Sequence, residues 1–170
     1  MRITRRSLWL PAVLLAAAVA GTAWFLTRDR DEARIRALVE DLAEHLSKSA
    51  TEAPGITLGK LAGLEKFFAP QVEFDFPREK FQRTVASREI AAKAGAYRNF
   101  FSEVKFRVSD LAFLARGRDT ATAEGVGLLR GRTAGRRETV DDSREIEMDF
   151  VRLEGRWRIR RIAVREVLRR

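Results

Sequence analysis

A chain of 170 residues with 45% apolar and 34% charged side chains can build one ordinary domain with a real core, which excludes a polytopic membrane protein, a collagen-like repeat and wholesale disorder. With no cysteine there are no disulfides, no thiolate zinc site and no cysteine nucleophile, and the single histidine, His45, excludes a multi-histidine metal cluster. The formal charge of +9 points first to nucleic acid or anionic lipid, but Arg2, Arg5 and Arg6 supply a third of it, and most of the remaining basic and acidic residues are interleaved.

Those three arginines precede Ser7 to Thr27, a stretch without charge whose core, Leu8 to Leu26, would span roughly 28 Å as a helix, close to a bilayer's hydrocarbon thickness. Trp9 and Trp24 lie near its two ends, where indole rings favour the headgroup region. The expected plan is a cytoplasmic tail (1–6), a transmembrane anchor (7–27) and one folded domain (28–170) held outside the cytoplasm. This is the single-pass arrangement of a bacterial inner-membrane protein. The competing reading is a cleaved signal peptide, because Ala18-Val19-Ala20 before Gly21 fits a small-x-small cleavage site; it exports the same domain in soluble form.

Beyond the span, Asp29 to Ser47 reads as an amphipathic helix with Ile35, Leu38, Val39, Leu42 and Leu46 on one face. Ser47 to Gly55 reads as a loop. Thr57 is a candidate cap for a second helix that buries Leu58, Leu61, Leu64 and Phe68 and stops before Pro70. Val72, Phe74 and Phe76 alternate with Glu73 and Asp75 in a short strand ended by Pro77. After an irregular stretch, Ser87 is a candidate cap for a third helix with Ile90, Ala94, Tyr97 and Phe101 in one stripe.

From there the period becomes two. Val104, Phe106 and Val108 alternate, then Leu111 and Phe113 continue on the other parity, which predicts a β-bulge near Ser109-Asp110. A strand from Thr120 to Arg130, a loop from Gly131 to Ser143, and strands from Glu145 to Leu153 and Arg156 to Val167 joined by Glu154-Gly155 complete the chain. Three helices in the N-terminal half and a following antiparallel meander predict an α+β domain with helices across one face of a curved sheet.

That order resembles the NTF2-like superfamily of cone-shaped folds, which includes SnoaL-like and ketosteroid-isomerase-like proteins. The likeness is carried by Leu64-Glu65-Lys66-Phe67-Phe68-Ala69-Pro70-Gln71-Val72-Glu73-Phe74 at the helix-to-strand junction and by Ser87-Arg88-Glu89-Ile90 at the third helix. It is carried also by Phe150-Val151-Arg152-Leu153-Glu154-Gly155-Arg156-Trp157-Arg158-Ile159 at the closing hairpin. With the anchor, the plan looks like the inner-membrane assembly subunits of type IV secretion machines, which use such domains to dimerise and dock partners.

The resemblance implies a cone lined by Phe68, Phe106, Phe113 and Tyr97, and it places Asp75 and Asp149 near positions where family enzymes carry a base and a proton donor. Those enzymes also use a tyrosine in the first helix, and here the only one, Tyr97, lies in the third. By its alternation with Phe74 and Phe76, Asp75 reads most simply as a solvent-facing strand residue. The face of Asp149 is ambiguous. His45 reads as a helix-flank histidine that would join Asp149 in acid-base work only if both entered one cavity.

Between Phe150 and Arg170 stand eight Arg and two Glu. Arg152, Arg156, Arg158 and Arg160 form either a basic stripe for lipid headgroups or an acidic partner, split or not by a bulge, or a set paired with Glu145, Glu147 and Asp149 across the ladder. No aromatic-interleaved basic patch or groove-reading helix is evident, so no nucleic-acid partner is expected. No complete catalytic set is present, and neither a cofactor nor a metal is expected. The expected function is a membrane-anchored, extracytoplasmic binding or assembly module, acting as a homodimer or in a membrane complex. The alternative is a small-molecule binder or isomerase- or hydrolase-like enzyme using the cone for a small apolar ligand.

Overall fold

The computed structural model describes residues 30–77, 80–135 and 138–165. The expected tail, the anchor over 7–27 and the end of the chain beyond 165 lie outside the described residues. Among these, no helix is long and apolar enough to cross a membrane. The chain divides into two compact units, 1–36 and 37–170. In the first, the described residues are helical and Arg34 pairs with Asp31 one turn earlier at 3.6 Å.

In the second unit, helix α1 (described over 30–46, with 37–46 here) buries Val39, Leu42 and Ala43. Its C-terminal end is tied to the sheet: the Lys48 and Val104 backbones exchange hydrogen bonds of 2.7 and 2.9 Å. Helix α2 (Pro54–Ala62) is followed by a single 3-10 segment (Gly63–Phe67) and then by β1 (Phe68–Phe76). Strand β2 (Phe81–Ala86), helix α3 (Ser87–Phe100) and strands β3 (Phe101–Arg116), β4 (Thr120–Thr133), β5 (Thr139–Leu153) and β6 (Arg156–Arg165) complete the order.

The sheet order is β2-β1-β6-β5-β4-β3. Strands β3 to β6 form the expected antiparallel meander; β1 joins it parallel to β6, and β2 adds antiparallel to β1. Pairing puts Phe74, Ile162, Met148 and Ala123 in one row and Asp75, Ala163 and Glu147 in the next, so the two faces of the sheet are distinct. Helix α3 packs on β1, β2 and β3, and the core gathers on that side around Leu64, Val72, Phe150 and Ile159.

Two local expectations hold in detail. The β3 register shifts between Ser109 and Ala112 with Asp110 at φ 54°, the bulge that the parity change predicts. Glu154 and Gly155, both at positive φ (50° and 77°), make the tight β5–β6 turn whose twist suits a hairpin. A Cβ at Gly155 would meet nothing within 4 Å, so Gly155→Ala isolates the conformational cost. The expected loss is about 1–2 kcal/mol, read by urea unfolding.

Several boundaries differ. Helix α2 begins three residues before Thr57, with Pro54 at its first turn, where a missing N–H is harmless. The Thr57 hydroxyl instead donates to Glu52 Oε1 at 2.7 Å, and Leu58 points to solvent at 69% exposure. Phe68 and Pro70 belong to β1 rather than to a helix and its stop. Ser87 sits inside the first turn of α3 with Ala86 at the cap, and its hydroxyl donates to Glu65 at 3.3 Å. The supposed irregular stretch contains β2, and the supposed loop from Gly131 to Ser143 is mostly a continued ladder, clipped by Arg130 on Asp141 at 2.7 and 3.0 Å.

Candidate functional site

A cavity of about 560 Å³ opens between α1, α3 and the helix-covered face of the sheet. Val39, Leu42 and Leu46 of α1 form one wall, and Phe106, Val108, Leu129, Ile146 and Met148 form the floor. Alternation in β1 aims Phe74 and Phe76 into it, and Phe81 of β2 stacks on Phe76 with ring centroids 5.6 Å apart. Gly127, where β4 crosses the floor, leaves room that any larger side chain would occupy.

Among the described residues, the polar groups along the cavity are Arg83 on β2, Lys93 and Tyr97 on α3, and Asp142 and Arg144 on β5. Asp142 accepts from Arg144 Nε with both carboxylate oxygens at 3.1 Å. Burial, and after it the charge of Asp142, push the Tyr97 phenol above its ordinary value, so the hydroxyl remains a donor through neutral and mildly alkaline pH.

Of the residues named for the lining, Phe68, Phe106 and Tyr97 lie along this cavity, and Tyr97 is half exposed rather than packed within a stripe. Phe113 is not among the lining residues; it pairs with Ala123 beyond the bulge and lies under the Arg116 guanidinium at 5.1 Å.

The acid candidates are elsewhere. Asp75 and Asp149 occupy the opposite face of the sheet around Arg161, which donates to Asp75 Oδ2 at 3.1 Å and Glu147 Oε1 at 2.9 Å and approaches Asp149 at 3.7 Å. Burial pulls the Arg161 pKa down, but the hydrogen bonds it donates to Glu147 and Asp75 and the charges of Asp149 and Glu147 outweigh it, and the net shift is upward. The outward reading of Asp75 follows plain strand alternation; a carboxylate between two cavity-facing phenylalanines has to face away from them.

His45 Nδ1 lies 2.8 Å from the Asp41 carbonyl, which can only accept, so this nitrogen carries the proton. The ring packs edge-on against Phe67 at 5.0 Å, and Nε2 lies beside Gly63. A His45–Asp149 pair therefore does not assemble.

The basic stripe is broken up as well. Arg160 is the extra residue of a bulge, because Asp149 pairs with Arg161 while Phe150 pairs with Ile159. Arg152 stacks over Trp157 at 4.5 Å, Arg158 donates to the Phe68 carbonyl at 3.3 Å, and Arg156 and Arg160 are exposed. Cross-strand pairing with the acids of β5 is made by Arg161 and Arg165, the latter reaching Glu147 at 2.6 Å.

A buried ion cluster lay outside the expected set. Arg98 of α3 and Glu52 are 1% and 3% exposed and joined by a short hydrogen bond; Lys60 reaches the other Glu52 oxygen at 3.0 Å, and Arg98 also caps the Ser47 carbonyl at 3.0 Å. Burial raises the Glu52 pKa, but the Thr57 and Lys60 hydrogen bonds and the Arg98 and Lys60 charges outweigh it and hold the carboxyl below its ordinary value. One signal was available: Arg98 falls four residues after Ala94 and eight after Ile90, on the buried face of its helix. Among the described residues no three His, Asp or Glu side chains come together as a metal set.

Comparison with solved structures matches this architecture. A scytalone dehydratase-like protein from Novosphingobium aromaticivorans is similar with a TM-score of 0.66 at 18% identity over 84% of this chain and 87% of that one. An NTF2-like protein with a cystatin-like fold from the same organism gives 0.65 at 18% identity over 85% and 87%. The fold is NTF2-like. A hexachlorocyclohexane dehydrochlorinase, LinA type 2, is also similar to this NTF2-like domain, with a TM-score of 0.64 at 16% identity over 82% and 87%. At such identities the likeness establishes the fold alone. No protein-family model matches the sequence, and no curated protein matches it.

Proposed function

We propose that the NTF2-like domain is a binding module that holds one small, mostly apolar molecule in its cavity. The observation that carries this reading is the cavity itself, about 560 Å³ with an apolar lining from five phenylalanines and a ring of aliphatic side chains, a size usual for small-molecule sites. Two of the similar folds bear the names of a dehydratase and a dehydrochlorinase, both named for small organic compounds, which is in keeping with an occupied cone. Binding is favoured over turnover because, among the described residues, the acid-base groups along the cavity are Lys93, Tyr97 and Asp142: Lys93 and Tyr97 are exposed, and Asp142 is already bonded to Arg144.

Titration with the neutral fluorophore N-phenyl-1-naphthylamine tests the reading. Saturable one-to-one binding is expected, and a linear, unsaturable response would overturn it. The charge-free Ser7–Thr27 stretch supports a place for the module on the outer side of an inner membrane. A C-terminal reporter active only in the cytoplasm would refute that location without touching the binding reading.

A further inference from the structure

The apolar walls of the cavity end in a rim whose charges do not balance. Arg83 on β2 and Lys93 on α3 line it, are exposed, and make no ion pair or side-chain hydrogen bond among the described residues. Among the described residues the rim has one carboxylate, Asp142, which already receives both of its 3.1 Å contacts from Arg144, so it does not neutralise the other two cations. Two basic side chains from separate elements thus flank the opening of an otherwise greasy chamber. Tyr97, one turn after Lys93 on α3 and also along the cavity, adds a neutral hydroxyl donor.

A wholly apolar ligand would gain nothing from this rim. A cationic head would meet like charge. We infer that the ligand is an amphiphile with an anionic head, a carboxylate or a phosphate held by Arg83 and Lys93 while its hydrocarbon body fills the cavity. This rests on the binding reading above and adds the chemical class of the occupant.

The experiment compares three ligands with the same body, dodecanoate, dodecyl phosphate and dodecanol, by displacement of N-phenyl-1-naphthylamine from the wild-type protein and from Arg83→Gln/Lys93→Gln. Because both side chains are exposed, the double variant keeps its fold, which circular dichroism verifies. At least one anion should bind about tenfold or more tightly than dodecanol, the scale of a hydrogen bond to a charged group, and the double variant should bring that ratio close to one. Whichever anion shows the larger ratio identifies the head group. Equal binding of all three ligands, or a preference that survives in the double variant, overturns the inference and leaves the cavity reading standing. Failure of the neutral fluorophore and all three ligands to bind removes both.

Discussion

Arg98→Met is expected to destabilise the domain by about 1.5–3 kcal/mol, because Glu52 loses one of its two cationic partners and keeps Lys60 and Thr57, while the Ser47 carbonyl loses its guanidinium cap. Glu52→Gln should also be costly, since the amide oxygen can still accept from Thr57 and Arg98 but the amide NH2 turns a donor toward Lys60 and the buried Arg98 loses its counter-charge. In the double variant Glu52→Gln/Arg98→Met the losses should fall short of their sum, as they do when two residues act through one contact. Urea unfolding of the four proteins measures all three terms, and strict additivity would show that the two side chains do not act on each other.

The same cluster sets a pH dependence. The folded Glu52 pKa lies below its unfolded value, so the unfolded chain takes up the proton first as acid is added. Its contribution is complete above the ordinary carboxylate range and disappears as pH falls through the lowered folded value. Glu52→Gln should therefore flatten the acid limb of the stability curve while leaving its shape near neutrality unchanged.

Filling the chamber gives the second large effect. A Cβ at Gly127 would stand 3.4 Å from Ile146 Cγ2 and 3.6 Å from Cδ1, ordinary contact distances, and the rest of a larger side chain would extend over the cavity floor. Phenylalanine is also a better strand residue than glycine, so Gly127→Phe should leave stability unchanged or raise it by up to about 1 kcal/mol. The introduced ring takes the place of a ligand portion of similar size, which forfeits about 1.5–3 kcal/mol of apolar burial, or roughly 10- to 150-fold in affinity. Unchanged binding by a well-folded Gly127→Phe protein would mean that the fluorophore sits elsewhere, with the exposed Ile56 and Leu58 of α2 the first place to look.

Much of this fold was legible from periodicity because the long strands have one wet and one dry face. The parity change after Val108 located a bulge, and Glu154-Gly155 located a hairpin turn, since each is a local steric matter written in a few residues. Strand β2 escaped because it is a short edge strand with only Val85 buried, and Arg83 stands where an apolar residue would have completed the pattern. The cap at Thr57 failed for a different reason: its hydroxyl found Glu52, whose other partners include Arg98 from 46 positions away.

The site divides in the same way. Phe68, Phe106 and Tyr97 could be assigned to the cavity, whereas Asp75 and Asp149 took their candidacy from a resemblance and their true surroundings from Arg161. Alternation alone already turned Asp75 outward. What no local pattern could reveal is that residues as distant as Arg83, Lys93 and Arg144 share one opening, because that depends on how β2, α3 and β5 are brought together.

The parallel seam between β1 and β6 has a consequence for how the molecule is made. The early ribbon of β1 and β2 attaches to β3, β4 and β5 only through β6, the last described strand to leave the ribosome. Until it arrives, the nascent sheet exists as two separate pieces with unsatisfied edges, and the chamber's floor on β3 to β5 is not joined to Phe74 and Phe76 of β1. Completion is therefore a late, long-range event, of the sort that slows folding, and a chain truncated within β6 would forfeit the join itself rather than one strand at the margin.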